Sequence, residues 1–178
     1  MKTFKIRVEG ISALLMHRFP MEQTPGADKL PGNEQAEIAA YRTPDSGELF
    51  VPGVAVQRAL VKAAAFSKGK GRASLQKVAA ACIFVAEEYC LLGTKEFSVD
   101  ARPVVIQATR GRVIRYRPRL NKWGFSFTLD YDETLLRATE VRQIVDACGQ
   151  RVGLLDFRPE KCGPFGRFAV TSWQEAGT

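Results

Sequence analysis

The stretch RVIRYRPRLNKWGFSFTLDY, residues 112–131, decides the reading of the fold. Both halves alternate with a period of two, the spacing at which strand side chains return to the same face. In the first half Ile114, Tyr116 and Leu120 share one face and Arg115, Arg117 and Arg119 the other. In the second, Trp123, Phe125, Phe127, Leu129 and Tyr131 oppose Gly124, Ser126, Thr128 and Asp130. Asn121 and Lys122 between them predict a tight turn joining the two runs as a hairpin.

Outward from this hairpin, the pattern changes period. Leu135, Leu136, Ala138, Val141, Ile144, Val145 and Cys148 recur at helical spacing. Gly149 or Gly153 is placed to end that helix. Phe165, Arg167, Ala169 and Thr171 then alternate with Gly166, Phe168, Val170 and Ser172 as a last strand. At the other end, Phe4, Ile6 and Val8 alternate with Lys5, Arg7 and Glu9, and the apolar character runs on to Met16. A Pro- and Gly-rich region follows, about 19–49, with a short helix expected over Glu34–Tyr41. Pro52 opens a helix whose apolar positions are Val54, Val56, Leu60, Val61 and Ala64, since proline is tolerated in a first turn. A second helix is expected over Ser74–Val85, and strands over Glu87–Leu92 and Val104–Gln107. The order predicts an α+β domain spanning 1–178. Its core is a ferredoxin-like (RRM-like) βαββαβ unit, with the long insertion after the first strand. Such a sheet packs helices on one face and leaves the other available.

The net charge of +7 is unevenly spread. Leu49 to Ala86 contains no acid and six cations: Arg58, Lys62, Lys68, Lys70, Arg72 and Lys77. Ala101 to Leu129 contains no acid and seven: Arg102, Arg110, Arg112, Arg115, Arg117, Arg119 and Lys122. Segregation of this kind builds a positive field and points to a polyanion. Three arginines on one strand face repel one another, and phosphates along that face would remove the penalty. Tyr116 and Trp123 beside them fit base stacking on single strands, although Trp123 shares the face of Phe125 and Phe127 and reads as core. Lys68-Gly69-Lys70-Gly71-Arg72 is either a phosphate-wrapping loop or an exposed linker; it lacks the order of a P-loop. Gly163-Pro164-Phe165-Gly166-Arg167 allows close backbone approach to a phosphate, with Arg167 as its partner, yet strand-entry turn chemistry accounts for the same spacing.

Other chemistries find little support. Cys82, Cys90, Cys148 and Cys162 include no C-x-x-C pair, and His17 is the single histidine, so no zinc site or other cofactor is expected. Cys82 and Cys148 fall in apolar helical patterns and read as core. The N-terminus lacks an apolar signal core and no run is long enough to span a bilayer, which together with reduced thiols suggests a cytoplasmic protein without membrane contact. No nucleophile–base motif surrounds His17, and Asp28 is isolated in the insertion.

Two segments together resemble the CRISPR-associated RAMP superfamily. Leu49-Phe50-Val51-Pro52-Gly53-Val54-Ala55-Val56-Gln57-Arg58-Ala59-Leu60 is similar to its "IPGSSLRGALR" segment, with the usual Ser-Leu-Arg appearing as Val56-Gln57-Arg58. Gly163 to Phe168 is similar to its C-terminal glycine-rich loop. The group most resembled is the backbone subunits that coat guide RNA in effector complexes. The resemblance implies that Arg58, Gly163 and Gly166 touch RNA and that the insertion reaches a neighbouring subunit. It implies partners that are RNA, copies of the chain and other effector subunits. The leading expectation is a non-catalytic, self-assembling binder of RNA or single-stranded nucleic acid. The alternatives are a metal-independent endoribonuclease using His17 or, less directly, Asp28, and a small interaction protein of a phage or plasmid. The basic charge argues against an acidic nucleic-acid mimic.

Overall fold

The computed structural model describes residues 1–22, 24–67 and 74–176. The chain opens with β1 (Lys2–Gly10) and the two-residue β2 (Leu14–Leu15), and the insertion holds α1 (Gly32–Ile38). Then come β3 (Phe50–Pro52), α2 (Gly53–Ala63), α3 (Gln76–Cys82), β4 (Ile83–Val85), β5 (Tyr89–Leu91), β6 (Ser98–Val105) and β7 (Arg112–Leu120). The chain ends through β8 (Gly124–Tyr131), α4 (Ala138–Ala147) and β9 (Phe168–Glu175). The fold is α+β, with antiparallel sheets ordered β4-β8-β1-β9, β2-β7-β6 and β3-β5.

The four-stranded sheet carries the core. Phe4, Ile6 and Val8 of β1 pair with Leu129, Phe127 and Phe125 of β8, and all six are buried on one face. Val56 and Leu60 of α2 and Val141, Ile144 and Val145 of α4 belong to the same apolar cluster. Lys5, Arg7 and Ser126 stay exposed on the opposite face. Cys82, Cys90 and Cys148 are buried as small core residues, and burial pushes the Cys90 thiol up to about 12. Among the described residues, no helix is long and apolar enough to cross a membrane.

Three expectations from periodicity are corrected. Residues 112–131 do not form a hairpin: β7 pairs with β6 and β2, while β8 pairs with β1 and β4. At Asn121–Lys122 the chain changes sheets instead of reversing within one. Trp123 fills that corner, donating its indole N–H to Ser12 O at 2.7 Å and lying where a Cβ on Gly10 would stand 2.1 Å from its Nε1. The strand beside β8 is β4, cut from the end of the helix expected over Ser74–Val85, because helical backbone stops at Cys82. Nor are Ile114 and Tyr116 core: Ile114 is 59% exposed and Tyr116 half-buried beneath Gly32 of α1, with only Leu120 fully in the core. The far half of the β6–β7 ribbon runs beyond the sheet that would cover it.

β4 is a three-residue edge strand, and its free side is closed by a side chain. The Gln57 amide donates to Ile83 O at 2.5 Å and accepts from Val85 N–H at 2.8 Å, as a neighbouring strand would. This links α2 to the sheet edge. Gln57→Leu leaves both backbone groups without that partner, at a cost of about 1–2 kcal/mol. Urea denaturation checks this as a lower midpoint at an unchanged m-value.

Candidate nucleic-acid interface

Pro52 sits at the start of α2, where a missing N–H costs nothing. The first-turn N–H groups of a helix have no intrahelical acceptor. Gly53 N–H is taken by Glu88 O at 2.9 Å; no side chain caps α2 and no acid lies in its first turn. This end therefore favours negative charge. It opens on a cleft of about 540 Å³ whose lining includes His17, Tyr41, Arg58, Lys62, Asp156 and Arg158.

The facing wall is the segment after α4. The helix widens into a π turn over Cys148–Val152 and stops at Gly153, whose φ is 72°. Leu155 and Phe157 also have positive φ, 58° and 47°, a conformation that costs bulky residues about 1–3 kcal/mol each. Hydrogen bonds hold it in place. Leu154 N–H donates to Gly166 O at 2.9 Å, Asp156 N–H to Leu15 O at 3.1 Å and Phe165 N–H to Phe157 O at 3.2 Å. Gly163 and Gly166 let these loops touch: an added Cβ would lie 1.8 Å from Phe157 O and 2.0 Å from Leu154 O. Both glycines are explained by this close approach; they support the wall and do not line the cleft.

Asp156 projects from the wall. It is ion-paired with Arg117, and its Oδ2 stands 3.7 Å from His17 Nδ1. Burial pushes the Asp156 carboxyl up, but the hydrogen bonds and charges of His17 and Arg117 outweigh it and hold the group below its ordinary value. Glu160 takes Lys62 and Arg158, the latter at 2.7 Å, so two of the cleft's cations are partly neutralised. Arg58 is exposed and has no ion pair among the described residues.

The expected arginine face divides. Arg117 is buried against Asp156, and its Nε has no hydrogen-bond partner among the described residues. Arg119 pairs with Asp100 at 3.4 Å and lies over the Phe165 ring at 5.7 Å. Arg102 binds the same Asp100 at 2.7 Å. The acids absent from the local sequence arrive from elsewhere in the fold, so the three arginines do not form one acid-free face. Arg115, with Arg110 and Arg112 nearer the ribbon's end, remains exposed, as do Lys122 and Arg167. Lys68, Lys70 and Arg72 lie outside the described residues. Asp28 is in a short 3-10 turn, away from the residues of the cleft. Sequence reasoning missed Tyr41, Asp156 and Arg158. The only signal for the last two was their place just before the glycine-bearing turn.

No protein-family model and no curated protein sequence matches this chain. Among solved structures it is similar to a chain of the cryo-EM structure of the Type III-B Cmr-beta bound to cognate target RNA. The TM-score is 0.55 at 11% identity. The two chains share a fold. The likeness covers 98% of this chain and 60% of that one, so this chain spans less than two thirds of its neighbour's length.

Asp156 keeps 30% of its side chain exposed and still faces His17, so removing Arg117 costs less than the ~3 kcal/mol of a pair that leaves a buried charge behind. Arg117→Ala is expected to lower the thermal midpoint, whereas exposed Arg115→Ala leaves it within experimental error. Because the Asp156 carboxyl is held low when folded, its stabilisation is present above the ordinary aspartate value of about 3.9 and is lost as pH falls through the folded value. Stability measured from pH 6 to 2 should therefore fall less steeply in Arg117→Ala than in the wild type.

Proposed function

We propose that this chain binds single-stranded nucleic acid, RNA foremost, through its phosphate backbone and without regard to sequence along most of the strand. It does so as a non-catalytic subunit of a CRISPR-type ribonucleoprotein that assembles with copies of itself and other subunits. The observation that carries this reading is the N-terminus of α2, without a side-chain cap or an acid in its first turn, opening on the cleft of Arg58, Lys62 and Arg158. Helix N–H groups and guanidinium forks both complement phosphate oxygens. Two further features support it. With α3 set aside, the elements of the four-stranded sheet follow the order strand, helix, strand, strand, helix, strand (β1, α2, β4, β8, α4, β9), and the sheet order β4-β8-β1-β9 supports a ferredoxin-like core. The structural neighbour is described as bound to target RNA. On this reading Arg115, Arg112, Lys122 and Arg167 extend the path as exposed cations, while Arg117 and Arg119 act through the scaffold.

One observation favours a second reading. His17 and Asp156 face each other in the cleft beside Arg58. A carboxylate that orients an imidazole, with a cation nearby for a phosphorane-like transition state, suits metal-independent RNA cleavage.

A labelled 30-mer of RNA and its DNA counterpart, titrated across salt, test both readings. With about six phosphates engaged, log K falls against log salt at a slope near −4, and Arg58→Ala makes the slope shallower by about 0.7. A flat response to salt would remove the phosphate reading. RNA recovered intact after long incubation supports the non-catalytic role, while cleavage abolished by His17→Ala establishes the second.

A further inference from the structure

Next to the cleft, and sharing Tyr41, Pro52 and Val54 with it, lies a groove of about 480 Å³. Its wall is aromatic. β3 pairs with β5 so that Pro52 stands opposite Tyr89. Phe50 meets Tyr89 edge-to-face at 4.6 Å, and Tyr41 meets Phe50 in the same manner at 5.7 Å. Phe50 and Tyr89 thus pack across the two-stranded ribbon, and Tyr41, outside it, packs against Phe50. Val54 is 60% exposed and Tyr89 38%, so the wall presents apolar surface to an occupant.

Opposite charges also line this groove. Arg18 lines it together with Glu87 and Glu88. The Glu87 carboxylate is already engaged, accepting Thr128 N–H at 2.9 and 2.7 Å, which leaves Glu88 as the freer acceptor. Glu88 beside it raises the Tyr89 value, so Tyr89 stays protonated. A carboxylate presents two oxygens to donors.

Resting on the nucleic-acid reading above, we propose that this groove receives one unpaired base of the strand whose phosphates occupy the cleft, and that guanine is the base it prefers. A flat π surface suits stacking against the aromatic wall. Guanine also matches the polar ends of the groove. Its N1–H and N2–H groups offer adjacent donors to the Glu88 carboxylate, and O6 and N7 accept from an arginine such as Arg18. Uracil offers a carboxylate one N–H flanked by two carbonyl oxygens, so it is disfavoured. Continuity with the cleft supplies the tether: a strand held by its phosphates at α2 has bases within reach of the groove. Binding along the strand thus acquires one position with a base preference.

The test compares an all-uridine RNA 12-mer with the same RNA carrying one central guanosine. The wild type should favour the guanosine strand about tenfold, the scale of one good bidentate base contact. Glu88→Ala should bring the ratio close to one, and Glu88→Gln, which keeps the side chain's size, should lower it too. Tyr89→Leu should weaken the guanosine strand more than the uridine strand. Arg58→Ala should weaken both strands equally and leave the ratio intact. Equal, salt-dependent binding of both strands by the wild type would overturn the base site while sparing the phosphate reading, and would point to a protein side chain as the occupant. Binding of neither strand would overturn the phosphate reading and this inference with it.

Discussion

Asp156 ties the wall that follows α4 to the three-stranded β2-β7-β6 sheet. Its carboxylate takes Arg117 of β7 and faces His17, while its backbone N–H is bound to Leu15 of β2. A carboxylate in that position satisfies a buried guanidinium that would otherwise be too costly to desolvate. The ion pair thus ties the wall of the cleft to β7 with Asp156 facing His17. What looks on a strand map like a binding arginine is instead part of the frame, while Arg58 and Arg115 stay exposed.

The wall itself shows how tightly backbone was brought together. Leu155 and Phe157 hold left-handed conformations that neither side chain favours, and Gly163 and Gly166 admit carbonyl oxygens closer than any Cβ allows. Hydrogen bonds between the two loops and to Ala13 and Leu15 offset that strain. The consequence is a rigid wall opposite an uncapped helix end. Preorganised donors of this kind bind an anion without reorganising first.

Charge in the cleft is balanced rather than maximal. Glu160 holds Lys62 and Arg158, and Asp100 holds Arg102 and Arg119, so much of the excess positive charge is tied into local pairs. The Lys62 side chain keeps 43% of its surface exposed, so its pair is weak and screened by salt, whereas Asp100 is buried and its two pairs are less open to competition. Arg58 and Arg115 start without such partners among the described residues. The aromatic groove beside the cleft adds apolar surface next to Arg18 and to the cations of the cleft.

Much of this was legible in the amino-acid order. Period-two runs marked β1, β8 and β9; Pro52 marked the start of α2, and the end of the helical turn after α4 fell at Gly153, one of the two glycines the pattern allowed; the buried aromatic face of β8 and the core positions of Cys82 and Cys148 followed from pattern alone. Alternation records which face a side chain takes, but not which strand lies alongside. That is why β7 and β8, adjacent in sequence and both regular, went to different sheets, and why β4 was hidden at the end of a helix. Ion pairing is likewise non-local: Arg117 meets an acid 39 residues away and Arg119 one 19 residues away, so a stretch without acids said nothing about its neighbours in space. The sequence by itself determined the elements, the core and the surplus of positive charge. Only the tertiary structure decided which cations are free to meet a ligand, because burial and pairing are set by residues that the chain brings together after the elements have formed.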